Sequence, residues 1–417
     1  MGLKVLLIGN GAREHAIAKK LVENDEKLYS FMSRENPGIA DLSKKYKIGD
    51  LVDFTKLKKF SNVDYAIVGP ENPIALGITD YLEDKLGIPT CAPRRSVSKI
   101  ESSKIFTRYL LDIYDIPGNV SYMIGKSADD LETAVEEFGT DFVIKPDGLT
   151  GGKGVKVYGE HLGNIKEAND YAKMLAKNDG EYLIEERKIG KEFSLQVFTD
   201  GRNIQPMPIV RDYKRAYEGG KGPNTGSMGS YSLPNHKLPF LTSKDYKNAL
   251  AIMKKTLKAL KQSTGDEFKG ILYGQFMKTE EGVFLIEYNV RFGDPEAMNV
   301  LKLLETELNT IVTKIIDGNL NKVEFQKSAT VCTYLVPTGY PLNPAKDEIT
   351  KVDASVVKDI CYASVYRKKN VVRTTSSRSI ALVTKGHNLQ EAKVENNQKL
   401  SKIHGNLFYR KDIGTLL

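Results

Sequence analysis

The chain opens with an apolar run, residues 3–8, which ends in Gly9-Asn10-Gly11 and passes into a helical pattern carried by Ala12, Ala16, Ile17 and Leu21. A short run without polar alternation reads as a strand buried on both faces. Feeding it through a glycine turn into a helix is the opening of a doubly wound α/β domain. The start of that helix would present backbone N–H groups to a phosphate. The third glycine of a GxGxxG string is missing, and Arg13-Glu14 stand where a dinucleotide fingerprint needs small residues, so a Rossmann-like sheet is expected without an NAD site. Arg13 is placed to grip a phosphate bidentately, or else is an ordinary surface arginine. A second run, DYAIV at 64–68, ends in Gly69-Pro70-Glu71-Asn72-Pro73. Ligands of such sheets lie beyond the carboxyl ends of the strands, which puts Glu71 and Asn72 where sugar hydroxyls would be met. Residues 88–92 read as one more strand, and 98–111 as an amphipathic helix leaving this first domain.

At 417 residues the chain is too long for one core, and two to four domains are expected. The net charge of +8 is spread along the whole length, which suits small phosphorylated substrates better than nucleic acid. No helix-turn-helix, zinc-finger or RNP string occurs. Cys91, Cys332 and Cys361 lack CxxC spacing and the five histidines are scattered, so neither a zinc site nor a disulfide framework is expected and a cytoplasmic location follows. No secretory signal, myristoylation signal or 18-residue apolar run is present, and no membrane partner is expected.

Residues 143–157, VIKPDGLTGGKGVKV, place Gly148, Gly151, Gly152 and Gly154 with Lys145 and Lys153 between two β-branched runs. Glycines let several backbone N–H groups converge on one anion while lysine adds charge, as a flap over a polyphosphate requires. The alternative is a plain glycine-rich hairpin. Helices near 128–138 and 167–177 and a strand at 182–184 complete a small α/β lobe. A larger α+β lobe follows, with strands near 192–198, 204–210, 270–277 and 283–287 and a helix at about 244–262. The long loop at 212–234 is rich in Gly, Pro, Asn and Ser, and a loop of that length inside a domain is usually functional or disordered. Strand-like runs at 330–336, 371–375 and 380–384 and a helix near 389–402 indicate a small β-rich C-terminal domain.

The densest chemistry lies at 284–296, FLIEYNVRFGDPE. Alternation puts Glu287 and Asn289 on one face of a strand, a hard-oxygen pair fit for Mg²⁺, and the preceding strand offers Gln275 to the same ion. Arg291 follows where it would stabilise a transferring phosphoryl group, with Asp294 beyond it. The loop at 211–229 sets Arg211, Asp212, Lys214 and Arg215 beside GPNTGSMG, acidic and basic groups suited to a zwitterion, although alone it would pass for a surface loop.

With GNGAREHA (9–16), VGPENP (68–73), IKPDGLTGGKGV (144–155), DYKR (212–215), GPNTGSMG (222–229) and EYNVRFGDPE (287–296) in this order, the chain resembles the ATP-grasp enzymes, and within them the glycinamide ribonucleotide synthetases (phosphoribosylamine–glycine ligases) of purine biosynthesis. The resemblance implies a multidomain α/β and α+β protein: an N-terminal Rossmann-like domain (1–103), a two-lobed ATP-grasp domain (104–325, small lobe about 121–188, large lobe about 189–325) and a small β-rich C-terminal domain (326–417). It implies ATP, glycine and 5-phosphoribosylamine as partners, Mg²⁺ or Mn²⁺ as the ion, and a monomer or small homo-oligomer. Glycine would be activated as glycyl phosphate and captured by the amine of phosphoribosylamine. By position, Lys104, Lys145 and the flap residues Gly151, Gly152 and Lys153 look like the nucleotide-phosphate contacts. Glu185 and Glu186 look like the adenine hinge, and Glu192 like the ribose contact. Glu287 and Asn289, with Gln275, resemble metal ligands. Asp212, Lys214, Arg291 and Asp294 resemble the groups around glycine and the acyl phosphate. Gly9, Asn10, Gly11, Arg13, Glu14, Pro70, Glu71 and Asn72 resemble the phosphoribosylamine site, and Pro223, Asn224, Thr225 and Gly226 a substrate turn.

The chain departs from the family pattern at Ala12 and Ser227, where glycine is usual, and at Gln275, where leucine is common. It also carries CYASV at 361–365 in place of FHAGT, and Ser376-Ser377 in place of paired glycines. A sibling ATP-grasp ligase of the same pathway would lack the DYKR and GPNTGSMG strings. A non-catalytic ATP sensor would have lost positions such as Glu287, Asn289, Lys104 and Lys145.

Overall fold

The computed structural model describes residues 2–151 and 154–415. Five parallel strands form the first sheet in the order Lys45–Ile48, Lys27–Met32, Lys4–Ile8, Tyr65–Val68, Thr90–Cys91. Its two central strands are the two apolar runs, and Val5, Leu6, Leu7 and Ile8 are completely buried because helices cover both faces. Lys27–Met32 and Lys45–Ile48 were not evident beforehand. The first mixes Lys27, Tyr29 and Ser30 into its run, and the second is a largely exposed edge strand with three polar or aromatic side chains out of four.

The helix expected at 98–111 is two helices, Arg95–Ser102 and Lys104–Ile113. Ser103 breaks them by adopting an extended backbone, and its hydroxyl accepts the Phe106 N–H (3.0 Å). Such a cap contributes about 1 kcal/mol. Asp147, from the glycine-rich segment, completes the cap: it accepts the Lys104 and Ile105 N–H groups (2.7 and 3.2 Å) and the Ser103 hydroxyl (2.9 Å). Periodicity missed this break because apolar spacing continues smoothly across it.

The small lobe is a four-stranded antiparallel sheet ordered Tyr122–Gly125, Tyr182–Glu186, Phe142–Pro146, Lys156–Val157, backed by helices Asp129–Phe138 and Ile165–Asp179. Its core, with Leu131, Phe142, Ile144, Leu175, Tyr182 and Ile184, is separate from the main one. A lobe with its own core can move as a body.

The largest sheet runs from Val283–Asn289 through Gly270–Lys278, Lys191–Thr199, Val210–Asp212 and Gly229–Ser232 to Ala329–Pro337, Ile380–Gly386 and Ile360–Tyr362. Pairing therefore crosses the region near 325, with Ser230 opposite Cys332 and Tyr231 opposite Val331. The stretch read as a long loop contains three short strands, Arg215–Tyr217, Lys221–Asn224 and Gly229–Ser232; the third is an inner strand of that sheet. Among the described residues no helix is long and apolar enough to cross a membrane.

The C-terminal strands also close against the first domain. Tyr362 donates its N–H to His15 Nδ1 (2.8 Å) and stacks on that ring at 5.8 Å, while Asn36 Nδ2 donates to the Tyr362 carbonyl (2.7 Å). Lys19 Nζ donates to the carbonyls of Val357 and Lys358 (3.1 Å each) and to that of Ile360. Burial, reinforced by the Lys19 charge, lowers the His15 pKa well below its ordinary value, so the ring is neutral with its proton on Nε2. The unfolded chain accepts a proton near pH 6.5 that the folded one refuses, so the contribution is fully present above that pH and is lost as pH falls towards the folded pKa. Between pH 7.5 and 5.5 the wild type is expected to lose about 1 kcal/mol more than His15→Asn, whose side-chain oxygen still accepts the Tyr362 N–H. Denaturant midpoints of the two proteins across that range measure the difference, and parallel curves would contradict it.

Candidate active site

Strand Val283–Asn289 lies at the edge of the large sheet, and its carboxyl end carries the expected oxygen pair. Glu287 and Asn289 are half-buried while Tyr288 between them is buried, as alternation demands. Among the described residues neither Glu287 nor Asn289 makes a side-chain hydrogen bond. Two hard oxygens left free on one face fit a divalent ion that shares its remaining positions with water and phosphate. Three or more His, Cys, Asp or Glu grouped to hold a metal do not occur among the described residues, which is compatible with that kind of ion. Gln275 sits opposite Glu287 on the neighbouring strand, but its side chain is engaged: Oε1 accepts the Tyr273 hydroxyl and Nε2 donates to Glu192 (3.3 Å).

Facing this end are the lysines. Lys104 Nζ donates to the Gly148 carbonyl (2.6 Å), which ties the helix start to the glycine segment. Burial lowers the Lys104 pKa, the Glu287 carboxylate opposes that, and Lys145 adds to it, so all three groups share one space. Lys145 is buried and paired with Glu185. The Glu185 side chain is engaged within the protein: one oxygen holds Lys145 and the other accepts Arg108 Nε at 2.7 Å. Although burial opposes ionisation, those two cations hold its carboxyl down at about 2. Glu186 is half-buried against Lys188 (2.6 Å) at the hinge. Gly151 is exposed, whereas Gly152 and Lys153 lie outside the described residues.

Glu192 accepts Lys214 Nζ (2.6 Å), and Asp212 lies beside the same ammonium. Burial pushes the Asp212 carboxyl up, Lys214 pulls it back, and Glu296 and Glu192 add to the rise. The carboxylates of Glu192, Asp212 and Glu287 together raise the Lys214 pKa against the effect of burial. Arg215 and Arg187 both pair with Glu160, at the end of the glycine hairpin, so the hinge and the large lobe share one contact with the small lobe.

The loops of the first sheet meet Arg291. Glu14 folds back over its own helix start and accepts the Gly11 N–H, passing so close to Gly69 that a Cβ there would stand 2.0 Å from its Oε1. Asn10 Oδ1 accepts from the Ser33 hydroxyl (2.7 Å). Arg13 Nη1 donates to the Gly69 carbonyl (2.9 Å), and Arg13 Nε is buried without a partner among the described residues. Pro70 precedes the short helix that Glu71 begins, and Asn72 is exposed. Arg291 Nε meets Glu71 at 3.2 Å and its Nη2 meets Glu101 at 3.2 Å. Burial opposes the Glu71 charge, but Arg291 and Arg13 bring its carboxyl down to about 2. Burial pushes Glu101 up to about 7 against the pull of Arg291. Glu101 escaped sequence reading because it belongs to a helix whose other charges face water.

The turn at 223–226 is held from the C-terminal domain. Thr225 donates its hydroxyl to the Lys214 carbonyl (2.8 Å), and Asn224 pairs with Arg215, leaving Pro223 half-buried. Arg378 donates to the carbonyls of Gly226, Ser227 (3.2 Å) and Asp294 (3.3 Å) and pairs with Asp294 Oδ2 (3.1 Å). Tyr334, beneath the guanidinium at 4.4 Å, donates its hydroxyl to Asp294 Oδ1 (2.5 Å). Each oxygen of Asp294 thus already accepts one protein donor. Arg378→Ala leaves Asp294 and three carbonyls short of donors and is expected to cost about 2–3 kcal/mol, with faster proteolysis within 212–229. An unchanged denaturant midpoint would show that these contacts carry no stability.

Three family models match in order: the phosphoribosylglycinamide synthetase N domain over residues 3–101, its ATP-grasp (A) domain over 102–297 and its C domain over 330–416. The phosphoribosylamine–glycine ligase of Pyrococcus abyssi is 44% identical over 420 residues, covering 99% of this chain and 95% of that protein. The enzyme of the same name from Methanobrevibacter smithii is 44% identical over 424 residues, with 99% and 96% covered. The crystal structure of phosphoribosylamine–glycine ligase from Thermotoga maritima superposes with a TM-score of 0.85 at 25% identity, covering 98% of this chain and all of that one. Matched in all three domains and along nearly its whole length, the chain belongs to the phosphoribosylglycinamide synthetase family of ATP-grasp ligases.

Proposed function

We propose that this chain joins glycine to 5-phosphoribosylamine at the expense of ATP, through an acyl phosphate made at the end of strand Val283–Asn289. The observation that carries the site is that Glu287 and Asn289, which make no side-chain hydrogen bond among the described residues, share one strand face, with the Glu287 charge acting on Lys104 beside Lys145. A divalent ion, Mg²⁺ or Mn²⁺, would be held there by Glu287 and Asn289 and would neutralise phosphate charge. Gln275, whose amide is already spoken for, serves better to fix Glu192 than to ligate the ion.

In the first step a glycine carboxylate oxygen attacks the γ-phosphorus of ATP, the bond to the β,γ-bridging oxygen breaks, and ADP leaves. In the second the phosphoribosylamine nitrogen attacks the glycyl carbonyl carbon, phosphate departs, and the nitrogen loses a proton. Such transfers depend on positioning and charge stabilisation rather than on a protein nucleophile. Lys104 and Lys145 hold the nucleotide phosphates. The segment around Glu186, together with Glu192, receives the nucleoside. Asp212 and Lys214 receive the amino and carboxylate ends of glycine, with Gly226 presented by the turn that Arg378 and Asp294 secure. Arg13, Glu71 and Arg291 receive phosphoribosylamine, as the buried Arg13 Nε, without a partner among the described residues, supports. The hairpin with Gly151, Gly152 and Lys153 covers the acyl phosphate, which water would otherwise hydrolyse. We place this activity in the cytoplasm, with no nucleic acid or membrane partner.

The test is ADP release with Mg-ATP and glycine while phosphoribosylamine is generated in place from ribose 5-phosphate and ammonia. ADP should form only when both co-substrates are present, with glycinamide ribonucleotide detected by mass spectrometry. Glu287→Gln should reduce turnover by about 100-fold or more with an unchanged far-UV spectrum. Near-normal ADP production by that variant would remove the metal assignment.

A further inference from the structure

Strand Val283–Asn289 is not regular where it matters. Gln275 stands opposite Glu287 while Phe276 stands opposite Leu285, so Ile286 is an extra residue, a bulge one position before Glu287. Bulges bend a strand and re-aim the side chain that follows, and they leave backbone groups outside the ladder. Here the strand is also at the sheet edge, and its outward groups are met from the helix Lys104–Ile113 and the segment after it. Leu285 N–H donates to the Gly118 carbonyl (2.8 Å). The carbonyls of Leu285 and Ile286 accept from Arg108, at 3.1 Å from Nη1 and 2.9 Å from Nη2.

The same guanidinium has a third duty. Its Nε donates to Glu185 Oε1, and the other oxygen of that carboxylate holds Lys145. Asn119 Oδ1 takes a further donor from Nη1 (3.0 Å), and Asn119 Nδ2 returns to the Arg108 carbonyl (3.3 Å), so the guanidinium is fixed in plane. The Arg108 side chain is only 2% exposed. A lysine carries its three donors on one nitrogen rather than on a planar fork, so it does not reproduce four acceptors spread over Nε, Nη1 and Nη2. Arg108 lies four residues after Lys104, on the same helical face, yet touches neither of the free oxygens at the site.

We propose that Arg108 is a positioning residue that fixes the bulge aiming Glu287 at the metal and, through Glu185, fixes Lys145 at the nucleotide phosphates. It thereby sets the distance between the ion and the lysine from one buried cation. The inference rests on the metal–phosphate reading of this site. It separates from a merely structural role because it requires metal and ATP to be affected and glycine to be spared.

The experiment uses the full chain and Mn²⁺ as the probe, titrated into enzyme with ADP and followed by electron paramagnetic resonance, beside steady-state kinetics. Arg108→Lys keeps the charge and a donor, and Arg108→Met removes both. Arg108→Lys should weaken Mn²⁺ binding by about tenfold, and Arg108→Met by more, as loss of an outer support of a metal ligand does. KM for ATP should rise while KM for glycine stays within about twofold. Glu185→Gln leaves Arg108 on the two carbonyls while weakening the hold on Lys145, and should raise KM for ATP with Mn²⁺ binding unchanged. This variant keeps the inference testable even where Arg108→Met does not fold. Folded Arg108→Lys with wild-type Mn²⁺ binding overturns the role of Arg108 and leaves the metal site standing. Equal rises in KM for ATP and glycine, or Mn²⁺ binding lost in Glu185→Gln, overturn it as well. Absence of Mn²⁺ uptake by the wild-type enzyme with ADP overturns the metal reading and the inference together.

Discussion

The carboxylate of Glu185, shared between Arg108 and Lys145, is the interaction on which the catalytic half of the molecule is built. Three charges taken out of water are expensive unless every donor and acceptor is matched. The matching here draws on five segments: helix Lys104–Ile113, Asn119, the small-lobe strands Phe142–Pro146 and Tyr182–Glu186, and the edge strand Val283–Asn289. Well-packed apolar residues could fill that space at similar or better stability. The gain from ionic groups is geometric, because a planar guanidinium tolerates few arrangements of its acceptors.

A second set of ions works at the seams. Arg291 lies between Glu71, at the start of the helix after strand Tyr65–Val68, and Glu101 of the linking helix, and Arg378 lies between the turn at 223–226 and Asp294. Each arginine fastens a loop that carries site residues to an element from another part of the chain. The neutral His15–Tyr362 stack and the half-buried Lys19 do the same on the far side of the first domain. The CYASV segment keeps this seam chiefly through backbone groups, with the Tyr362 N–H and carbonyl as the partners. Departure from the family's side chains at 361–365 therefore costs little. The Glu160 contact with Arg187 and Arg215 is of another kind, since these groups are more exposed and bridge lobes with separate cores.

Strands were legible where burial was two-sided, as in Lys4–Ile8 and Tyr65–Val68, and helices where apolar spacing was long, as in Ser243–Thr264. The break at Ser103 was not, because its cause is a distant aspartate, Asp147, rather than a change in pattern. The strands inside 212–234 were hidden for a similar reason. Glycine, proline and asparagine depress strand propensity locally, and only pairing with neighbouring strands overrides it. Among the site residues, strand alternation sufficed to put Glu287 and Asn289 together. It could not reveal that Glu185 spends both oxygens on protein cations, or that Asp294 divides its own between Arg378 and the Tyr334 hydroxyl, since Arg108 and Arg378 lie 77 and 84 residues away from them.

The sequence by itself determined the family, the order of the three parts and the clusters of charged and glycine residues from which a site could be read. These are written in short contiguous strings whose meaning depends on neighbours a few residues apart. Only the tertiary structure decided which charged groups are free to meet a ligand and which are consumed in holding the site. That division is made by desolvation and by pairing across domains. A buried carboxylate finds its partner through space, and nothing in the residues beside it along the chain says which cation that will be.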